Sequence, residues 1–163
     1  MRQRKQFSKF DILQYVIMAA LLVFMILMLT RGNSKVVPIE EIRSTMASIP
    51  SVAELMEKDM NDAEKVFAFD ADLVDEGIYY RVDDIMNVNE LLIVRIEDDD
   101  SRDIVHEAIE IYLKSKTESF DGYGTNQFGL LSAGVVSEKG QYLFFGVGED
   151  VLEWESSFLK CIR

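Results

Sequence analysis

ILQYVIMAALLVFMILML, residues 12–29, is the stretch that decides how this chain is organised. Its eighteen residues carry only Gln14 and the phenol of Tyr15 as polar groups. As a helix it would be about 27 Å long, close to the thickness of a bilayer's hydrocarbon core. A helix buried in a water-soluble protein keeps a polar face, and this one is apolar all round. The stretch therefore predicts a transmembrane helix over 12–30, a tail over 1–11, a linker over 31–37 and one domain over 38–163. Arg2, Arg4, Lys5 and Lys9 precede the span against the single acid Asp11, whereas Arg31 and Lys35 follow it. The larger positive cluster stays in the cytoplasm, which places the N-terminus inside and the domain outside, a single-pass protein of the cell membrane. A cleaved signal peptide is the competing reading. Gly32-Asn33-Ser34 offers a small-x-small site, but the apolar run exceeds a usual signal core and Arg31 abuts the site.

Outward from the span the composition changes sign. Residues 1–30 carry four positive charges and one negative; residues 31–163 carry thirteen positive and twenty-eight negative. So acidic a domain repels phosphate backbones, which argues against nucleic acid as a partner. Solubility accounts for the charge without a ligand. Cys161 is the one cysteine, so there is no intrachain disulfide, and it reads as a small apolar residue on the last helix.

The domain alternates helical and strand patterns. Pro38 suits a first helical position, with Ile39, Ile42, Met46 and Ile49 at helical spacing up to Pro50. Ser51 to Glu54 reads as a capping box opening a second helix, with Val52, Leu55, Met56 and Met60 on one face. Val66, Phe67 and Phe69 are core candidates in a further helical turn. Asp70 caps a short turn that Gly77 would end. Ile78–Val82 and Leu91–Ile96 read as strands, the second being the clearer. Asp100 or Ser101 caps the longest soluble helix, whose apolar stripe is Ile104, Val105, Ala108, Ile109 and Tyr112. A loop at Phe120–Gly124 leads to a short helix over Thr125–Ser132 carrying Phe128, Leu130 and Leu131. Val135–Ser137 and Tyr142–Val147 form a hairpin about Glu138-Lys139-Gly140. Tyr142, Phe144 and Phe145 make both faces of the second of these strands apolar, as in a central strand. Val151, Trp154, Phe158, Leu159 and Ile162 form the stripe of a last helix. The expected fold is α+β: a mainly antiparallel sheet of three to four strands packed by helices.

Several of these segments carry a resemblance. They are Asp72–Tyr80, Asn89–Arg95, Phe120-Asp121-Gly122-Tyr123 with Gln127, and Lys139–Leu143. With them, the chain over about residues 38–160 resembles the "domain of unknown function 4358" family of small bacterial extracytoplasmic proteins. The resemblance implies an envelope-facing domain on a lipoprotein signal or membrane anchor. It implies no activity and supplies no functional residue.

Candidate chemistry is sparse, and each case has a structural reading beside it. Asp98, Asp99, Asp100 and Asp103 are the candidate metal ligands, since calcium takes several carboxylate oxygens; acids between a strand and a helix also cap the helix. Asp70, Asp72, Asp75 and Glu76 begin like a calcium loop, but Val74 replaces a ligand and Gly77 falls too late. His106 is the only histidine, too few for the usual zinc site, and falls at or near the exposed face of its helix. Tyr123 and Gln127, four apart, are candidate ligand-binding residues for a peptide or glycan, or hold the backbone of a neighbouring loop. No Ser-centred nucleophile elbow or phosphate-binding loop is present, and no cofactor is expected. The expected function is a non-enzymatic binding or assembly module at the cell envelope, with a protein or cell-wall partner. An acid/base or metal-dependent hydrolase built on the acidic clusters and a membrane sensor are the alternatives.

Overall fold

A computed structural model describes residues 9–31, 35–122 and 124–163, with side chains in the first helix over 14–25. The chain divides into two units, Met1–Asn33 and Ser34–Arg163. The described residues of the first unit form one helix, α1 (Lys9–Arg31). Its described side chains are all exposed, from Gln14 to Met25. Among the described residues no helix is long and apolar enough to cross a membrane. The span expected at 12–30 includes side chains outside them, at 12–13 and 26–30, and most of the expected tail lies outside them as well.

The second unit is α+β, with five strands where three to four were expected. In chain order it runs α2 (Ile39–Ala47), α3 (Pro50–Ala53), β1 (Met56–Lys58), α4 (Met60–Phe67), β2 (Glu76–Arg81) and β3 (Glu90–Arg95), then α5 (Asp99–Phe120), α6 (Thr125–Ser132), β4 (Val135–Lys139), β5 (Tyr142–Val147) and α7 (Val151–Cys161). The sheet order is β1-β2-β3-β5-β4, and every pair is antiparallel. Period-two alternation sends Ile78, Tyr80, Leu91, Ile93, Tyr142 and Phe144 to one face, where α2, α3 and α7 cover them. Tyr79, Leu92, Val94, Leu143, Phe145 and Val147 go to the other face, with Phe67 of α4 and Val105 and Ile109 of α5. All six residues of β5 are buried, as expected of a central strand.

Four local readings are corrected. The capping box at Ser51 does not open a long helix: Pro50 takes the first helical position, Ile49 is the N-cap, and the helix ends at Ala53. Ser51 Oγ instead accepts the indole N–H of Trp154 at 3.0 Å. Met56, read as helical, lies in β1, because Met56, Glu57 and Lys58 find backbone partners in Arg81, Tyr80 and Tyr79 of β2. An edge strand of three residues leaves too short a pattern for period two to be distinguished from helical spacing. Gly77 ends no helix. It lies inside β2, where a Cβ would come within 2.7 Å of Met60 Sδ, so glycine is there for close packing of α4 on the strand. Residues 35–37, expected in the linker, belong to the domain: Lys35 N–H donates to the Ile162 carbonyl at 2.9 Å, and Val37 is buried in the core.

Candidate functional site

The site with the most concentrated chemistry in the domain is one that the sequence reading passed over. Glu90 opens β3 opposite Arg81 of β2 and Val147 of β5. It is the one buried charged residue among those described, at 1% exposure. An unpaired carboxylate in such a place would cost several kcal/mol or take up a proton. Here it accepts three hydrogen bonds. The Tyr79 hydroxyl donates to Oε1, and Oε2 receives the Tyr112 hydroxyl at 2.7 Å and the Lys116 ammonium at 2.8 Å. Lys116 also donates to the Tyr112 hydroxyl at 2.7 Å and sits 5.1 Å from its ring centroid. Tyr112 and Lys116 are four residues apart on α5, so helical geometry presents both to the sheet.

Burial, then the Glu90 charge, drives both phenols far above the ordinary tyrosine range, so each is a fixed neutral donor. Burial works against the Arg81 cation, but Tyr79, Glu90 and Tyr112 outweigh it and hold the guanidinium charged. Beneath the phenols lies Phe67, with its ring edge-to-face with Tyr112 at 4.5 Å, Phe145 at 5.3 Å and Tyr79 at 5.6 Å. Chemically, this is a clamp. The carboxylate is occupied on both oxygens and the phenols are locked as acids, so the group joins α5 to β2 and β3. Two signals in the sequence point to it: an acid opening a strand that is apolar on both faces, and a lysine four residues beyond a tyrosine of the apolar stripe.

The clamp lies at the base of the β2–β3 loop. At that loop's tip Ile85 is 90% exposed and Met86 is 50% exposed. Gln127, singled out as a candidate ligand-binding residue, donates from Nε2 to the Met86 carbonyl at 3.2 Å and so holds this loop. Its companion Tyr123 lies outside the described residues.

The candidate metal ligands do not converge. Asp98 caps α5, accepting the Ser101 N–H at 2.8 Å, and the Ser101 side chain, then its N–H, hold the carboxyl below the usual range. The cap is thus two residues earlier than Asp100 and three earlier than Ser101. Asp99 pairs with Arg102, while Asp100 and Asp103 are exposed. In the second acidic cluster Asp70 caps a single 3-10 turn, Asp75 accepts the Glu97 N–H at 2.8 Å and Glu76 lies 3.6 Å from Arg95. Among the described residues no group of three or more His, Cys, Asp or Glu is placed to hold a metal ion. His106 is partly buried, with Nδ1 2.6 Å from Glu138 of β4 and Nε2 3.7 Å from Glu110. Ile104, expected in the buried stripe of α5, is exposed, whereas Val105 and Ile109 are fully buried. Cys161 is a half-buried thiol beside the Thr45 hydroxyl, packed on α2.

The sequence pattern of DUF4358, a domain of unknown function, matches residues 49–148. The chain belongs to the DUF4358 family. The match takes in all five strands and the helices α4, α5 and α6 of the Glu90 face, while α2 and α7 lie outside it. Three of the four family segments noted in the sequence supply Tyr79, Glu90 and Gln127, which places part of those three in the clamp or its loop; the fourth, Lys139–Leu143, forms the β4–β5 hairpin turn. No curated protein and no solved structure matches the chain.

Proposed function

We propose that this DUF4358 chain is a single-pass membrane protein, with its short N-terminal tail in the cytoplasm and its acidic domain outside. In this reading the domain is a non-enzymatic module that binds or assembles a protein partner at the cell envelope. The observation that carries the reading is the surface of α1. From Tyr15 to Met25 every side chain is apolar or aromatic and every one is exposed. A helix with no polar face has no side to turn to water, and hydrocarbon is the solvent that suits it. The basic residues before it favour a cytoplasmic tail. The occupied state of Glu90 favours binding over catalysis, since a general base needs a lone pair open to substrate.

Proximity labelling on intact cells tests it, with the labelling enzyme fused after Arg163 and a probe that does not enter cells. A labelled domain with a specific set of enriched envelope proteins is the expected result. Labelling confined to lysed cells, with cytoplasmic neighbours, would overturn it.

A further inference from the structure

The sheet ends at β4, and the geometry of that edge supports a specific kind of partner. The β4–β5 hairpin turns through two residues, Gly140 and Gln141, because Lys139 pairs with Tyr142. Gly140 has a φ of 60° and takes the first central position, as the glycine-led hairpin turn requires. The pair that closes a two-residue turn exchanges both backbone hydrogen bonds, and bonded pairs then alternate along the ladder. Lys139, Ser137 and Val135 therefore bond β5, and the N–H and C=O groups of Val136 and Glu138 point away from it. Among the described residues no other element takes up these groups. The edge is thus a row of two donors and two acceptors.

Beside this edge runs a groove of about 680 Å³, bounded by α5, the end of α6 and β4. Leu113, Leu131 and Val136 line its apolar part, and Glu110, Glu118 and Lys114 stand along α5. Glu138 lies on the same face, its carboxylate held by His106. The local charge is negative, as is that of the whole domain. A second copy of this chain would bring a like-charged face to the edge, which charge repulsion disfavours.

We propose that the β4 edge binds an extended segment of a basic partner protein, which adds as a sixth strand and reads basic-x-apolar-x-basic. The apolar residue packs over Leu113 and Val136. The flanking Lys or Arg side chains, two positions to either side, are about 13 Å apart along a strand. That matches the rise of about 12 Å between helix positions eight residues apart, as Glu110 and Glu118 are. Backbone pairing supplies affinity and the alternate side chains supply selectivity. This assignment deepens the binding-module reading and rests on it.

The test uses the full chain in detergent and the peptide Ser-Thr-Lys-Thr-Val-Thr-Lys-Thr-Ser, with the same peptide carrying Glu for both Lys as control. The expected result is saturable binding of the basic peptide alone, with slowed amide exchange at Val136 and Glu138. Val136→Pro removes an outward donor that β5 does not use, and is expected to weaken binding about tenfold or more. Glu110→Lys with Glu118→Lys leaves the edge backbone intact, and should reverse the preference between the two peptides. No binding overturns the assignment, as does equal binding of both peptides without amide protection. So does an edge already protected in a dimer of this chain. Partner enrichment on cells that Val136→Pro leaves unchanged would also overturn the edge assignment, while leaving the module reading in place.

Discussion

The two faces of the sheet bury comparable sets of Leu, Ile, Val, Phe and Tyr, yet they settle their polar atoms in different ways. Under α2 and α7 the handles of Tyr142 and Trp154 meet neutral partners, and only at the margin does a hydroxyl, that of Tyr80, reach a carboxylate, Glu57 at 3.4 Å. The Tyr142 hydroxyl accepts the Val37 N–H and donates to the Val37 carbonyl, both at 2.9 Å, and the Trp154 indole meets Ser51. Under α4 and α5 a carboxylate is buried, and three donors, one of them the Lys116 cation, are gathered to satisfy it with Arg81 as a second positive charge. The first arrangement is a packed core whose polar atoms are local locks. In the second, no member can leave without stranding another, so α5, β2 and β3 are held in one geometry. The family match covers the second face in full and leaves out two of the helices that close the first.

The sharpest contrast comes from truncating each face at its centre. Trp154→Ala removes the largest fully buried side chain of the α7 face and should cost about 3–5 kcal/mol, read as a lowered urea midpoint at unchanged slope. Glu90→Ala should follow at about 2–4 kcal/mol, because two phenols and Lys116 lose their acceptor. Lys116 is partly exposed and recovers some hydration, which keeps the value below that of a sealed pair. Replacing the pair together, Glu90→Leu with Lys116→Met, should cost clearly less than Glu90→Ala alone. A double variant as unstable as the single would mean that the pair is not the unit holding the face.

A smaller effect separates the faces by pH. Tyr79 and Tyr112 stay protonated in the folded domain well above the range where an unfolded tyrosine ionises, about pH 10. Their contribution is fully present below that pH and is lost as pH rises through it, because the unfolded chain then binds fewer protons. Stability should fall above about pH 10, and Tyr79→Phe with Tyr112→Phe should flatten that fall. An unchanged alkaline slope in the double variant would place the cause elsewhere. Smallest of all, Ile85→Ser at the loop tip should change stability by less than about 0.5 kcal/mol. A larger loss would mean that the tip is packed and not displayed.

Most of this architecture was legible wherever a pattern ran long enough. Leu91–Ile96, the Tyr142–Val147 strand and the Val151–Ile162 stripe fall where their periodicity puts them, because each repeats a burial pattern several times. β1 was not legible, since three residues show no period and their pairing with β2 is a long-range contact. Gly77 misled for a related reason: a glycine after a short turn looks like a helix stop, and only the packing of Met60 reveals what it serves. The candidate site was the least legible part. Asp98–Asp103 and Asp70–Glu76 drew attention because acids cluster there in sequence, yet in the fold Asp70, Asp75 and Asp98 accept backbone N–H groups, Glu76 and Asp99 face arginines, and Asp100 and Asp103 stand exposed. Tyr79, Glu90, Tyr112 and Lys116 are scattered over thirty-eight positions and meet only when β2, β3 and α5 pack together.

The central claim, an anchored domain displayed outside the membrane, is tested most directly by the accessibility of the loop tip on intact cells. Cys161→Ser leaves a chain without cysteine, and Ile85→Cys then places one thiol at a site that is 90% exposed. A maleimide that does not cross membranes is predicted to modify this thiol fully before lysis. Modification only after the membrane is opened would contradict the account.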